Sequence, residues 1–365
     1  MIRVGLIINP VAGMGGSVGL KGTDGEMYKK AVELGAESVS PARIEEVLSL
    51  VTRKDIKFIA ATDRMGEDYL KGLSFDYEVV GKIGEETGPE DTRRILEEMK
   101  ECGIDLLIFA GGDGTARDVL NVVGMEIPVI AIPSGVKMFS AAFTLSAHAA
   151  ASMIDSFGYS FIEKEVMDIN EEAFRNNRLD AKLYGYMRVP DMKHLLQGKK
   201  EASNVAPAAA GKKEEVAEYI VDNMDDDAVY ILGPGTTLKT IADRIGVDKT
   251  LLGVEAVAGG KLIGADINEK NILDIQKEYD KVVVIVTPIG GSGYIFGRGS
   301  RQISSKVLDL VDRENIIIVS TIDKVGGLDC LRVDTGDYKV DQKLAGNMNV
   351  IVGYNEEVAM EVRID

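Results

Sequence analysis

Asp113 stands alone among glycines in GGDGT, residues 111–115, directly after the aliphatic run LLIFA at 106–110. Such a run reads as a parallel strand buried on both faces. A carboxylate where the backbone is bare has little packing purpose, and beside a phosphate it is repulsive unless a metal or a proton transfer compensates. The chemistry implied is phosphate handling at the carboxyl end of a strand, with Asp113 as the candidate catalytic carboxylate. Gly111, Gly112 and Gly114 would let backbone N–H groups converge on phosphate oxygens, by close approach and by positive φ. The helix that follows adds its N-terminal dipole. Thr115 is placed to cap that helix as well as to face phosphate.

Other turns share the design. NPVAGMGGSVGLKGTDG at 9–25 offers Asn9 and Gly13, and IPSG at 132–135 offers Ser134 and Gly135. LGPGTT at 232–237 offers Gly235 and Thr236, and TPIGGSGYIFGRG at 287–299 offers Thr287, Gly290, Gly291 and Ser292. None ends in the Gly-Lys-Ser/Thr of a P-loop, and GMGGSVG lacks the dinucleotide fingerprint spacing. Turns like these also serve as plain tight connections, and for LGPGTT both readings stay open. His148 and His194 are the only histidines, so a histidine dyad or a multi-histidine metal centre is not expected and a general base would be a carboxylate. Asp118 and Asn121, beyond Thr115, read either as polar groups near the site or as a solvated helix face.

The elements that would position these turns alternate over the first 160 residues. RVGLIIN, KFIAAT, YEVVGKI, DLLIFA and PVIAIPS read as strands; ARIEEVLSLVTR, PEDTRRILEEMKECG and TARDVLNVVG read as helices. PEDTRRILEEMKECG has proline and acids at its start and glycine at its end. This order predicts an α/β fold, a doubly wound Rossmann-like N-terminal domain over 1–160 with ligands at its strands' carboxyl ends. A second, mixed β-rich α/β domain is expected over 161–365. FIEKEVMDIN and RLDAKLYGYMRVP read as a hairpin opening it, and 197–214 reads as a mobile loop. The tail from 330 reads as short extended segments, free to pack back on the first domain.

Composition sets limits. With 365 residues, 45% hydrophobic and 28% charged, the chain is ordinary for a globular protein. The formal charge of −17 opposes docking on nucleic acid or on an anionic membrane. No apolar run approaches the length needed to span a bilayer. MIRVGLIINP reads as a first strand rather than a signal peptide. Two cysteines, Cys102 and Cys330, suit a reducing cytoplasm.

FAGGDGT resembles the central motif of the superfamily that joins NAD kinases, diacylglycerol and sphingosine kinases, and phosphofructokinases. IINPVAG resembles its first strand and turn, IPVIAIPSG its next phosphate turn, and TPIGGSGY a segment in the second domain of NAD kinases. The chain is most similar to the NAD-kinase-like branch associated with acetoin catabolism. The resemblance implies ATP-dependent phosphorylation of the 2′-hydroxyl of NAD or a related nucleotide, with Mg²⁺ bridging the donor phosphates. Asp113 would then orient or deprotonate that hydroxyl, and a small-molecule substrate and a homo-oligomer are implied. Departures exist. The Asn-Glu pair of NAD kinases has no counterpart at a matching position: DINEE at 168–172 contains one, but at a hairpin tip, and IPSG continues as VKMFSAAF, where Lys137 offers a positive charge. Residues 214–280 alternate helix and strand, whereas the second domain of NAD kinases is largely β-sheet. A lipid kinase of the diacylglycerol type and a nucleotide-binding sensor without catalysis remain alternatives; a sugar kinase lacks its arginine-rich motif.

Overall fold

The computed structural model describes residues 1–16, 18, 26–36, 38–135, 138–158, 160–169, 181–196, 207–298 and 301–364. The chain divides into two compact units, one of residues 1–14, 22–33 and 37–200, the other of 15–21, 34–36 and 201–365.

In the first unit the elements run β1 (Ile2–Ile8), α1 (Glu26–Glu33), α2 (Ser40–Leu50), β2 (Ile56–Ala61), β3 (Asp76–Val80), α3 (Pro89–Glu101), β4 (Leu106–Gly111), α4 (Asp113–Val123), β5 (Val129–Pro133) and α5 (Ala147–Asp155). The hairpin β6 (Phe161–Ile169) and β7 (Ala181–Pro190) follows. The five-stranded sheet has the order β3-β2-β1-β4-β5 with every pair parallel. All six residues of β4 and all five of β5 are buried, as the unbroken aliphatic runs require. Helix α2 packs on α5 and α3 on α4, the pairing of a doubly wound sheet. The winding direction reverses between β1 and β4, so the crevice beyond their carboxyl ends is the topological switch point.

The hairpin belongs to this unit and not to the second. Val166, Met187 and Val189 are fully buried in the first unit's core. Gly185 leaves room for the Leu120 side chain of α4, 2.7 Å from where a Cβ would stand. The hairpin's apolar face therefore closes over α4, and the unit boundary falls past residue 196 rather than at 160.

In the second unit the order is α6 (Pro207–Asp222), β8 (Val229–Leu232), α7 (Thr236–Ile245), β9 (Glu255–Ala258), β10 (Lys261–Gly264), α8 (Glu269–Glu278) and β11 (Val282–Val286). Then come β12 (Tyr294–Phe296), α9 (Ser305–Asp309), β13 (Ile316–Val319), α10 (Ile322–Gly326), β14 (Leu331–Val333), α11 (Tyr338–Leu344), β15 (Gly346–Gly353) and β16 (Glu356–Ile364). They form a nine-stranded mixed sheet, β10-β9-β8-β11-β13-β15-β16-β14-β12, with β8, β11, β13 and β15 parallel at its centre.

Two expectations change here. Residues 207–214 are helical, not loop: α6 begins at a proline, runs through strong helix formers, and buries Val216, Ala217 and Ile220. The tail holds more than short extended segments, all within the second unit. It contributes β14, the Asp337-capped helix α11, and an eight-by-nine-residue hairpin inside the second unit's own sheet, because β15 continues the parallel pairing of β13.

Candidate functional site

In the first unit the switch point is built from the ends of β1, β4 and β5. Asn9 follows β1, and its N–H donates to the Ala110 carbonyl of β4 at 2.9 Å. Its Oδ1 accepts from the Val11 N–H (3.1 Å), which caps the first turn, while its Nδ2 donates to Thr115 Oγ1 (3.0 Å). One asparagine thus ties the first glycine turn to GGDGT. The Ser134 N–H donates to the Gly111 carbonyl (2.9 Å), bringing in the IPSG turn. Asn9, Gly13, Gly111–Thr115, Ser134 and Gly135 are therefore one cluster, as their sequence spacing implied.

The glycines of this cluster do different things. Gly13 has φ +79, and a Cβ there would strike the Ser134 carbonyl, so position 13 demands glycine for both conformation and space. Gly111 sits under the Thr115 side chain, and Gly112 lies 3.3 Å, Cβ to Cα, from Gly135. Positive φ is not the reason at 112, where φ is −110; close approach of two turns is. Gly114 faces open space, with nothing within 4 Å of its Cβ position. It lies in the first turn of α4, whose N-cap Gly112 provides no side-chain cap. The N-terminus of α4 is thus approachable at Gly114. Thr115 lies inside α4 and accepts from Asn9, so it is not the cap.

Asp113 opens α4 and is 9% exposed. Its carboxylate accepts from the Phe139 N–H (2.6 Å), the Ser140 N–H (3.0 Å) and the Ser140 hydroxyl (2.6 Å). Ser140 Oγ in turn accepts from the Met167 N–H of β6 (3.0 Å). Asp113 therefore anchors the segment after the IPSG turn, and through it the hairpin. These amide donors were not legible in VKMFSAAF. Lys137 and the Asn-Glu of DINEE lie outside the described residues. Asp118 is buried and paired with Arg93 of α3; burial pushes its carboxyl up, opposed by the Arg93 and Arg117 guanidinium charges. Asn121 is exposed and accepts from the Tyr184 hydroxyl (3.0 Å).

In the second unit Gly235, Thr236, Thr287, Gly290, Gly291 and Ser292 lie past the ends of β8 and β11, which are paired neighbours. Gly235 has φ +127 and is the N-cap of α7; a Cβ there would stand 2.8 Å from Thr287 Cγ2. The two turns thus touch. The second turn closes on itself through Ile289 N–H to Tyr294 O (2.7 Å) and Gly293 N–H to Ile289 O (3.0 Å). Gly291 has φ +78, Gly290 has nothing within 4 Å of its Cβ position, and the Ser292 hydroxyl donates to Ile289 O (3.3 Å). Two lysines absent from the sequence reading attend these turns: Lys213 Nζ donates to Thr236 Oγ1 and Lys324 Nζ to Thr287 Oγ1, both at 3.1 Å. Lys213 was hidden in the stretch read as loop, although the helix formers after Pro207 were there to be read. Behind β8, the Lys249 ammonium and Glu255 carboxylate form a pair with side chains 0% and 1% exposed. Lys249 also donates to the Gly253 carbonyl (2.8 Å) and contacts that of Leu232.

Comparison with known proteins fits both halves. The family model of the ATP-NAD kinase N-terminal domain matches residues 4–159, and that of the ATP-NAD kinase C-terminal domain matches 225–362. The chain belongs to the NAD kinase-like superfamily. Among solved structures it is similar to two proteins of Bacillus anthracis str. Sterne, each assigned as a diacylglycerol kinase. Both are 18% identical, with TM-scores of 0.24 and 0.23. The matches cover 46% of this chain in both cases, and 43% and 47% of those chains, less than half of each. Similarity of that extent says nothing about substrate. No curated protein matches the chain in sequence.

Proposed function

We propose that the protein is a kinase that transfers the γ-phosphoryl group of ATP to an alcohol of a small nucleotide, with the 2′-hydroxyl of NAD as the first acceptor to test. The observation that carries the reading is the open face of Gly114 at an uncapped helix start on the switch point of a superfamily domain. Phosphoryl transfer asks a protein mainly for positioning and for charge stabilisation. Backbone amides at 113–115 would bind phosphate oxygens, and Gly13 and Gly112 keep the adjoining turns close enough to shape that cradle. Asp113, engaged by amide and hydroxyl donors, serves this reading as the residue that orients the acceptor hydroxyl rather than the one that strips its proton. Mg²⁺ would neutralise the donor phosphates. Among the described residues no group of three His, Cys, Asp or Glu side chains gathers. That suits an ion carried mostly by nucleotide and water, as Mg²⁺ usually is.

The same hydrogen bonds to Asp113 favour a second reading, a nucleotide-binding sensor without turnover. The test is incubation of the full chain with ATP, Mg²⁺ and NAD and detection of NADP by mass spectrometry. NADP formation above the protein-free control supports the kinase. A raised melting temperature with NAD or ATP but no product supports the sensor. Membership of the acetoin-associated branch, a cytoplasmic location and a homo-oligomer belong to this proposal. Among the described residues no helix is long and apolar enough to cross a membrane. A diacylglycerol analogue in the same assay tests the lipid-kinase alternative.

A further inference from the structure

The strands β8 and β11 end in two touching turns, and a lysine stands on the outer side of each. Lys213 of α6 donates to Thr236 and Lys324 of α10 donates to Thr287. The surroundings make Lys213 unusual. Its neighbour Lys212 is paired with Glu215 (3.1 Å) and Glu356 (4.0 Å). Lys213 is half-buried and, among the described residues, no carboxylate pairs with it. Burial alone holds its ammonium below the ordinary lysine range. In a chain with 59 acidic residues against 42 basic ones, a desolvated cation facing only a hydroxyl is an uncompensated cost. An anionic ligand would compensate it.

We propose that the carboxyl ends of β8 and β11 bind a phosphate or diphosphate group, with Lys213 and Lys324 supplying charge and the first turn of α7, from Thr236 onward, supplying backbone amides; the Gly235 amide is already given to the Leu251 carbonyl (2.9 Å). Thr236 opens α7, a ten-residue helix whose N-cap Gly235 offers no side-chain cap, so an anion at this end would meet first-turn amides with the helix dipole behind them. Gly235 is required because a side chain would push the Thr287 turn away. Gly290 leaves the neighbouring backbone open. Asp323, next to Lys324, opposes an anion, which places the main burden on Lys213. Lys213 lies between the two stretches that the family models match, so the superfamily does not supply it. The inference rests on the phosphotransfer reading only in choosing phosphate over other anions.

The probe is inorganic pyrophosphate on the full chain at neutral pH. Lysines are pulse-acetylated and counted by peptide mass spectrometry, and affinity is read by titration calorimetry. Pyrophosphate is expected to slow acetylation of Lys213 several-fold and to leave Lys212 unchanged. Lys213→Met is expected to weaken pyrophosphate binding about tenfold, the effect of one charge-assisted hydrogen bond. Equal protection of the two lysines, or unchanged affinity in Lys213→Met, overturns the inference. The two readings fail separately. Protection of Lys213 in a protein that makes no NADP leaves this site standing while the kinase falls. NADP formation with Lys213 unprotected by pyrophosphate or NAD removes this site and keeps the kinase.

Discussion

Both units end parallel strands in glycine-rich turns, yet they dress those turns with opposite charge. The first unit sets a carboxylate, Asp113, into amide donors of its own chain. The second sets lysines against the hydroxyls of Thr236 and Thr287. A carboxylate satisfied by backbone N–H groups shapes a loop and repels anions. A half-buried lysine held on a hydroxyl, as Lys213 is, would favour an anion. On the two proposals above, the first unit would orient phosphate chemistry and the second would hold an anionic ligand.

The largest expected effect is on Asp113. In Asp113→Asn one carboxylate oxygen becomes an NH₂ facing the Phe139 or Ser140 N–H, donor against donor. Loss of about 10²-fold or more in NADP formation is expected, the scale of a small misplacement at a reacting centre. A lower melting temperature should accompany it, from roughly 1–3 kcal/mol of unmet hydrogen bonding. Full activity in this variant would remove Asp113 from the first unit's role. Next is Glu255→Gln, which leaves the Lys249 ammonium buried without its counter-charge. Denaturant unfolding should show a loss of about 3–5 kcal/mol, and a change under 1 kcal/mol would mean the pair does not brace the end of β8.

Two glycine substitutions sharpen the account of the first unit. Gly13→Ala should cost roughly 1–3 kcal/mol, because φ is +79 and the Ser134 carbonyl blocks the methyl group. Gly114→Ala should raise stability by up to about 1 kcal/mol, since the site is helical and open. It should at the same time weaken nucleotide binding. Thermal melts with and without ATP read both, and unweakened binding in Gly114→Ala would place the phosphates elsewhere.

The smallest effect is the pH dependence of Lys213. Its folded pKa lies below the unfolded value, so the folded state holds fewer protons between the two. Its charged form is a cost below the folded pKa, and stability rises as pH climbs from the folded toward the unfolded pKa. Lys213→Met should therefore melt at the same or a slightly higher temperature at pH 7, with the difference shrinking by pH 11. A clear loss at pH 7 would make Lys213 a structural residue and blur the contrast between the units.

Much of this was readable in one dimension, because it depends on neighbours along the chain. The aliphatic runs around residues 4–8 and 106–110 specify buried parallel strands, and strand-turn-helix order specifies the winding. Together these placed Asn9, GGDGT and IPSG at the carboxyl ends of strands; that β1, β4 and β5 are neighbours came from the sheet itself. The same kind of signal was present but passed over in PAAAGKKEEVAEYIVD, where proline and helix formers were outweighed by small residues. What only the tertiary structure decided are pairings between distant residues, since charge, hydrogen bonds and close packing act through space. The sequence cannot show that Asp113 meets the amides of 139 and 140, that Lys249 finds Glu255, or that Lys213 meets no acid among the described residues. Nor can it show that the strands Phe161–Ile169 and Ala181–Pro190 pack against α4, since that contact is long-range.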